Sequence, residues 1–146
     1  MTDISNLTID KQRIKQTFNA AARTYDDHAA LHRHVIDNLL GNLDVIRHQP
    51  NLILDLGAGT GYCARGLSKR YRRAHTVLVD LSHEMLKVSR QLVPRWRSRK
   101  SYVCADAESL PIASDSIDFI FSSLAFQWCN GLDKVFKECH RVLKPD

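Results

Sequence analysis

No apolar run in this chain approaches the ~18 residues that a helix needs to span a bilayer. The opening residues, MTDISNLTIDKQRIKQ, lack the apolar core of a secretory signal. Both absences point to the cytoplasm and away from a membrane. The four cysteines, Cys63, Cys104, Cys129 and Cys139, have neither CxxC nor CxxH spacing, so they read as reduced thiols rather than a disulfide framework or a zinc site. Of the seven histidines, His28 and His32 stand one helical turn apart, but no third ligand follows at a suitable spacing, and no metal is expected. The sequence has no repeats and no low-complexity tract.

What is present fits one domain with a real core: 146 residues, 44% apolar and 25% charged. The net charge of +5 suits an acidic partner. Much of it lies in Lys69-Arg70-Tyr71-Arg72-Arg73 and Arg95-Trp96-Arg97-Ser98-Arg99-Lys100. These runs read as solvated faces. They match no nucleic-acid recognition module and carry no aromatic residues interleaved on strands, so nucleic acid is not the expected partner.

Helical spacing dominates the first third. A helix is expected from Lys11 to Ala22 with Asp10 as its N-cap. A second is expected from Asp27 to Arg47, where Leu31, Val35, Leu39 and Leu43 recur every four positions beside Ile36, Leu40 and Ile46. Pro50 closes this arm, and the period then changes. Strands are expected at Asn51–Asp55, Thr76–Asp80, Ser101–Cys104 and Ile117–Ser122. Helices fall at Tyr62–Tyr71, at His83–Val93 with Ser82 as N-cap and Pro94 beyond, and at Leu132–Leu143 with Asn130 as N-cap. Strands alternating with helices imply right-handed βαβ units and a parallel sheet with helices on both faces. In such α/β folds the ligand sits at the C-terminal ends of the strands.

The chemistry is written at those ends. The first strand runs into Asp55-Leu56-Gly57-Ala58-Gly59-Thr60-Gly61-Tyr62, whose alternate glycines permit a tight turn and close approach of backbone to ligand. Asp80, about 20 residues on at the end of the next strand, is placed to accept hydrogen bonds from ribose hydroxyls. A dinucleotide fingerprint, G-x-G-x-x-G, begun at Gly57 would need a glycine where Tyr62 stands. Asp55 would also set a carboxylate where a pyrophosphate should lie. A cationic ligand without phosphate fits better.

The D-L-G-x-G-T-G segment with Asp80 after Val77-Leu78-Val79 resembles the class I, Rossmann-like, S-adenosylmethionine-dependent methyltransferases. So does Ala105-Asp106-Ala107-Glu108-Ser109-Leu110-Pro111 after the third strand. The resemblance implies S-adenosylmethionine as cofactor, with Asp106 on the adenine amino group, Met85 packed on the adenine, and Ser122-Ser123-Leu124 against the methyl donor. The implied cofactor-binding set is Asp55, Gly57, Ala58, Gly59, Gly61, Asp80, Leu81, Met85, Asp106, Ala107 and Ser122. Glu108 reads as a loop-surface charge and Asp118 as structural. The implied division is an N-terminal helical arm, residues 1–50, and a cofactor-binding domain, residues 51–146.

Two further segments narrow the family. Phe18-Asn19-Ala20-Ala21-Ala22-Arg23-Thr24-Tyr25-Asp26-Asp27-His28-Ala29 and Leu124-Ala125-Phe126-Gln127-Trp128-Cys129 are together similar to the malonyl-acyl-carrier-protein O-methyltransferases of biotin synthesis. That resemblance implies methyl transfer to a malonyl carboxylate on an acidic acyl carrier protein. Tyr25, Gln127 and Trp128 would then wall the pocket over the methyl group, and Arg23, Arg33 and the arm histidines would stand beside its mouth. Other acceptors, small or quinone-like, and a cofactor-binding fragment without activity remain open. The family's sheet has seven strands in the order 3-2-1-4-5-7-6, and this chain carries signals for the first four. The fourth is therefore expected to present an exposed edge suited to a second copy or a C-terminal partner, and the arginine that such enzymes commonly use to grip the acceptor carboxylate is expected outside this chain.

Overall fold

The computed structural model describes residues 8–92 and 98–145. The apolar run after Pro50 forms β1, Leu52–Leu56, followed by β2, His75–Asp80, β3, Lys100–Cys104, and β4, Phe119–Ser122. Around them lie α1, Lys11–Ala21, α2, Tyr25–His28, α3, Ala30–Asn42, α4, Tyr62–Arg70, α5, His83–Gln91, and α6, Leu132–Val142. All strand pairs are parallel, in the order β3-β2-β1-β4. The order reverses at β1, so the crevice at its C-terminal end, between β1 and β4, is where an open α/β sheet receives ligands. The register sets Leu56 beside Val79 and Ser122, and Asp80 beside Cys104, which brings the four strand ends to one edge.

β1 is apolar throughout except for Asp55, because both of its faces are covered. Ile53, with Cys63, Leu67 and Tyr71 of the α4 region, packs under Leu43 and the apolar stripe of α3. Leu54, Leu56 and Val79 face the other way, onto Val135 and Val142 of α6. Leu78 and Leu86 seat α5. This is the Rossmann-like arrangement expected, with helices on both faces. No helix among the described residues is long and apolar enough to cross a membrane.

The structure departs from the sequence reading in the arm. The continuous helix expected over Asp27–Arg47 is broken: α2 is a single turn, the chain bends at Ala29, which is buried, and α3 then runs to Asn42 before a 3-10 turn at Leu43–Val45. The bend lets both Asp26 and Arg33 face the strand ends. Gly41 and Asn42 are weak helix formers, and Arg70 of α4 closes the helix end by donating to the Leu43 carbonyl and the Asp44 carboxylate. Leu31, expected on the apolar face, is 72% exposed.

Asp10 and Ser82 cap as expected, accepting from the amides of Arg13 and Met85 at 3.1 and 3.2 Å. Asn130 does not cap α6. Gly131 holds that position, while the Asn130 amide clasps the arm, accepting from Ile9 N at 2.6 Å and donating to Ile9 O at 3.0 Å. The expected end of α5 at Val93 and Pro94 lies outside the described residues, as do Arg95, Trp96 and Arg97. The Lys69–Arg73 run leads into the N-terminal edge of the sheet, opposite the strand ends just described.

β4 begins at Phe119 rather than Ile117, because Ile117 bridges instead to Leu143. Beyond that bridge the outer edge of β4 has no strand partner among the described residues. Asp118 welds this corner. Its Oδ2 accepts from the amides of Asn51 and Leu52 at 2.9 and 2.8 Å, and Lys144 Nζ reaches its Oδ1 at 2.6 Å, holding the carboxyl below its usual range. Replacing Asp118 with Ala strips two amides of a charged acceptor, and a loss on the order of 2 kcal/mol is expected in thermal or urea unfolding. Asp118→Asn, which keeps one acceptor oxygen, should lose less; equal losses would contradict this account.

Candidate functional site: a covered cavity at the strand ends

The turn after β1 is possible only because its glycines lie at positive φ, 78° at Gly57 and 53° at Gly59. A Cβ on Gly57 would also strike Ala125 Cβ in the segment after β4. The turn is tied to the end of β2: Gly57 N and Ala58 N donate to Val79 O at 2.8 and 3.0 Å, and Gly59 N donates to Asp80 Oδ2 at 2.8 Å. Ser82 N donates to the other oxygen of Asp80, Oδ1, at 2.8 Å. Two backbone amides thus fix the Asp80 carboxylate at the lip of the crevice, each oxygen retaining a lone pair for a further donor.

Above this turn lies a cavity of about 200 Å³. Its floor is Leu56, the Gly57–Thr60 turn, Val79, Asp80 and Leu81. Met85, Ala105, Asp106 and Ala107 close one end, and Ser123, Leu124 and Ala125 form the side toward β4. Leu124 holds φ at 54°, uncommon for a residue with a side chain and of a kind that clusters at functional sites. The arm supplies the roof, with Phe18 edge-on to Trp128 at 5.5 Å and to Tyr25 at 6.4 Å. Tyr25 stacks on His32, its hydroxyl 3.2 Å from Nδ1.

Polar contacts fasten the arm across the edge. Lys11 Nζ meets both Asp106 and Glu108 at 2.7 Å. Asn19 Oδ1 accepts from Ser82 Oγ at 2.6 Å, and Asp26 Oδ1 accepts from Thr60 Oγ1 at 2.6 Å.

The charge at the turn is one-sided. Asp55 is 1% exposed, and its Oδ2 has no hydrogen-bond partner. Burial, then the nearby Asp80 carboxylate, push its pKa up to about 7, against the partial relief given by the Ala64 amide and the Cys63 thiol. Burial and Asp55 drive the Cys63 thiol upward in turn. Burial likewise raises Asp80 despite its two amide donors, and it raises the Tyr25 phenol, with Asp80 and Asp26 adding to the effect. A phosphate on this turn would meet two carboxylates, Asp55 and Asp80. A cation would relieve both.

Of the residues singled out in the sequence, Gly57, Ala58, Gly59, Asp80, Leu81, Met85, Asp106, Ala107, Tyr25, Gln127 and Trp128 line this cavity. Asp55, Gly61 and Ser122 do not. Asp55 lies buried behind the turn. Gly61 N-caps α4 with its Cα against Ser89, and Ser122 spends its hydroxyl on Leu56 O at 2.7 Å, leaving Ser123 in the wall. Glu108 is no free surface charge, since it pairs with Lys11 and accepts from Asn130 N at 2.6 Å. Arg23 faces outward toward Glu84 and Lys87, whereas Arg33 lines the cavity. Lys11, Phe18, Asp26 and Thr60 also line it and had been given no role of their own, although Phe18, Asp26 and Thr60 lay inside segments the sequence had marked.

The model of the methyltransferase domain family matches residues 54–146. The chain belongs to the methyltransferase family. Among curated relatives, the malonyl-[acyl-carrier protein] O-methyltransferase of Methylovorus sp. (strain MP688) is 45% identical over 143 residues, covering 94% of this chain and 48% of that protein. The enzyme of the same name from Laribacter hongkongensis (strain HLHK9) is 46% identical, with the same coverage of each. The biotin biosynthesis bifunctional protein BioHC of Cellvibrio japonicus (strain Ueda107) is 42% identical, covering 94% of this chain and 26% of that one. The chain spans about half the length of the malonyl-[acyl-carrier protein] O-methyltransferases it matches.

Solved structures agree on the fold. The complex between the Haloferax volcanii Trm112 methyltransferase activator and a methyltransferase matches with a TM-score of 0.76 at 27% identity, over 88% of this chain and 56% of that one. Haemonchus contortus phosphoethanolamine N-methyltransferase 2, in complex with S-adenosyl-L-methionine, matches with a TM-score of 0.67 at 30% identity, over 75% and 26%.

The buried Asp55 makes a pH prediction. Its folded pKa of about 7 stands above the ordinary 3.8, so between those values the folded chain keeps a proton that the unfolded chain releases, and stability falls as pH rises. Asp55→Asn removes that dependence. Its thermal midpoint relative to wild type should climb from pH 5 to pH 8, and parallel curves would refute the assignment.

Proposed function

We propose that this methyltransferase holds S-adenosylmethionine in the covered cavity and methylates the free carboxylate of a malonyl thioester on acyl carrier protein, an early step of biotin synthesis. The observation that carries the cofactor reading is the pair of buried carboxylates, Asp55 and Asp80, which have no cationic partner among the described residues, at a glycine turn. Such a site suits a nucleoside bearing an ammonium and a sulfonium. The acceptor is argued from the 45% identity to a malonyl-[acyl-carrier protein] O-methyltransferase.

In this reading Asp80 receives the ribose hydroxyls. Gly57, Ala58 and Gly59 line the amino-acid end, Leu81 and Met85 flank the adenine, and Asp106 with Ala107 meets its edge. Asp55 acts from behind the turn through its charge, Gly61 by letting α4 start where it does, and Ser122 by setting Ser123. Residues 1–50 serve as the covering arm and residues 51–146 as the binding domain.

The bound cofactor supplies an electrophilic methyl group. The chain's own task is alignment and exclusion of water. A malonyl carboxylate is ionised at neutral pH, so no general base is required. Tyr25, Phe18, Gln127 and Trp128 wall off the reacting atoms. The Tyr25 phenol, neutral at ordinary pH and held further from ionisation by burial and the nearby Asp80 and Asp26, can donate.

The exposed cations of the arm, Arg13 and Arg23 among them, offer an acidic carrier protein a complementary surface. The outer edge of β4 offers a place for a further strand, from a second copy or a C-terminal partner. A substrate borne on acyl carrier protein places the reaction in the cytoplasm.

Calorimetric titration with S-adenosylhomocysteine tests the cofactor. Wild type should bind, and Asp80→Ala should lose at least about tenfold in affinity, because two ribose hydroxyls lose their acceptor. A folded wild type giving neither heat nor thermal shift would overturn the reading. Restored growth without biotin, in a strain lacking its malonyl-carrier methyltransferase, tests the acceptor.

A further inference from the structure

The charges lining the cavity can be followed one by one. Lys11 is neutralised by Asp106 and Glu108. The Asp26 carboxylate takes the Thr60 hydroxyl, and Asp80 takes two amides. Arg33 is different. It stands on α3 where the arm bends toward the glycine turn, half-buried in the cavity wall, and Nη1 donates to the main-chain oxygen of Asp26. That single bond steers the guanidinium but brings it no counter-charge. Asp37, one helical turn on, is held at both oxygens by the Tyr62 hydroxyl at 3.1 Å. Among the described residues Arg33 therefore makes no ion pair, although Asp37 stands one turn along the same helix.

A guanidinium carries five donors in a planar fork matched to a carboxylate. One is used on Asp26, and that bond fixes the orientation of the others. His32 and Tyr25 border the same part of the wall, their mutual contact holding both rings against the cavity. We propose that Arg33 is the anion-receiving residue of this cavity and binds a ligand carboxylate at its glycine-turn end. The inference rests on the cofactor reading above and adds to it. A ligand there presents its cationic centres to Asp55 and Asp80 and its carboxylate to Arg33, so one wall of the cavity reads positive charge and the other negative. Two ligands would bring a carboxylate: the amino-acid end of the cofactor and the malonyl group of the acceptor. In the second case Arg33 supplies from within the chain the arginine that sequence alone did not locate.

The test uses the 146-residue chain, Arg33→Gln and Arg33→Lys, with three probes measured calorimetrically. S-adenosylhomocysteine carries the amino-acid end, and 5′-methylthioadenosine is a similar nucleoside thioether without it. Malonyl-pantetheine is added to chain already saturated with S-adenosylhomocysteine. If Arg33 binds the cofactor carboxylate, Arg33→Gln weakens S-adenosylhomocysteine by about tenfold or more and leaves methylthioadenosine unchanged, which also shows that the variant is folded. If it binds the acceptor carboxylate, both nucleosides bind as in wild type and malonyl-pantetheine affinity falls by a similar factor. Arg33→Lys, with charge but no fork, should fall between. Wild-type affinities for every probe in Arg33→Gln would withdraw the anion site alone. A wild type that binds none of the three would withdraw the cofactor reading and the anion site together.

Discussion

Three amide hydrogen bonds from the glycine turn to the end of β2 set the geometry on which the rest of the site depends. Gly57 and Ala58 hang from the Val79 carbonyl, and Gly59 holds the Asp80 carboxylate. The turn can lie so close to β2 only because positive φ and missing side chains allow it. Once it is pinned there, α4 starts at Tyr62, Thr60 is presented to the arm, and Ala125 can close over Gly57. The acid that would hold a ribose and the backbone that would hold the other end of the same ligand are parts of one rigid corner.

Polarity explains why this corner is not a phosphate site. Phosphate-binding turns combine amide donors with a helix N-terminus and no competing negative charge. Here Asp55 sits fully buried behind the turn and Asp80 at its lip, each raised in pKa by burial. Buried carboxylates that amides satisfy only in part cost free energy, and a cationic ligand would offset that cost. The same reasoning accounts for Lys11. Lys11, paired with both Asp106 and Glu108, cancels part of the negative charge at that end of the cavity.

The sheet and its ligand edge were legible because they are encoded locally. Short β-branched runs bounded by glycine and proline mark strands, and an acid directly after such a run falls at a strand end. Asp80 and Asp106 could therefore be placed from sequence alone. The arm was half legible. Its helices show in the 3.6-residue period, but nothing local announces the bend at Ala29, whose cause is burial against a cavity made by residues far along the chain. Lys11 and Asn130 illustrate the limit: their partners lie 95 and 121 positions away. Periodicity carries no information at such separations. Asn130 was misassigned because a cap and a clasp use the same side-chain atoms. Asp55 and Ser122 were placed at the right strand ends, but in parallel strands adjacent residues point to opposite faces, and one position separates a wall residue from a buried one.

The roof over the cavity is built from the first third of the chain, yet each of its fastenings is made to the last two thirds. Lifting it does not require unfolding the sheet. Besides the apolar packing of α3 on α4, it requires breaking a clasp at Asn130, an ion pair at Asp106 and hydrogen bonds at Ser82 and Thr60. A ligand seated beneath the arm would leave more readily as these contacts open, so its dwell time would depend on the release of the arm as well as on the affinity of the walls.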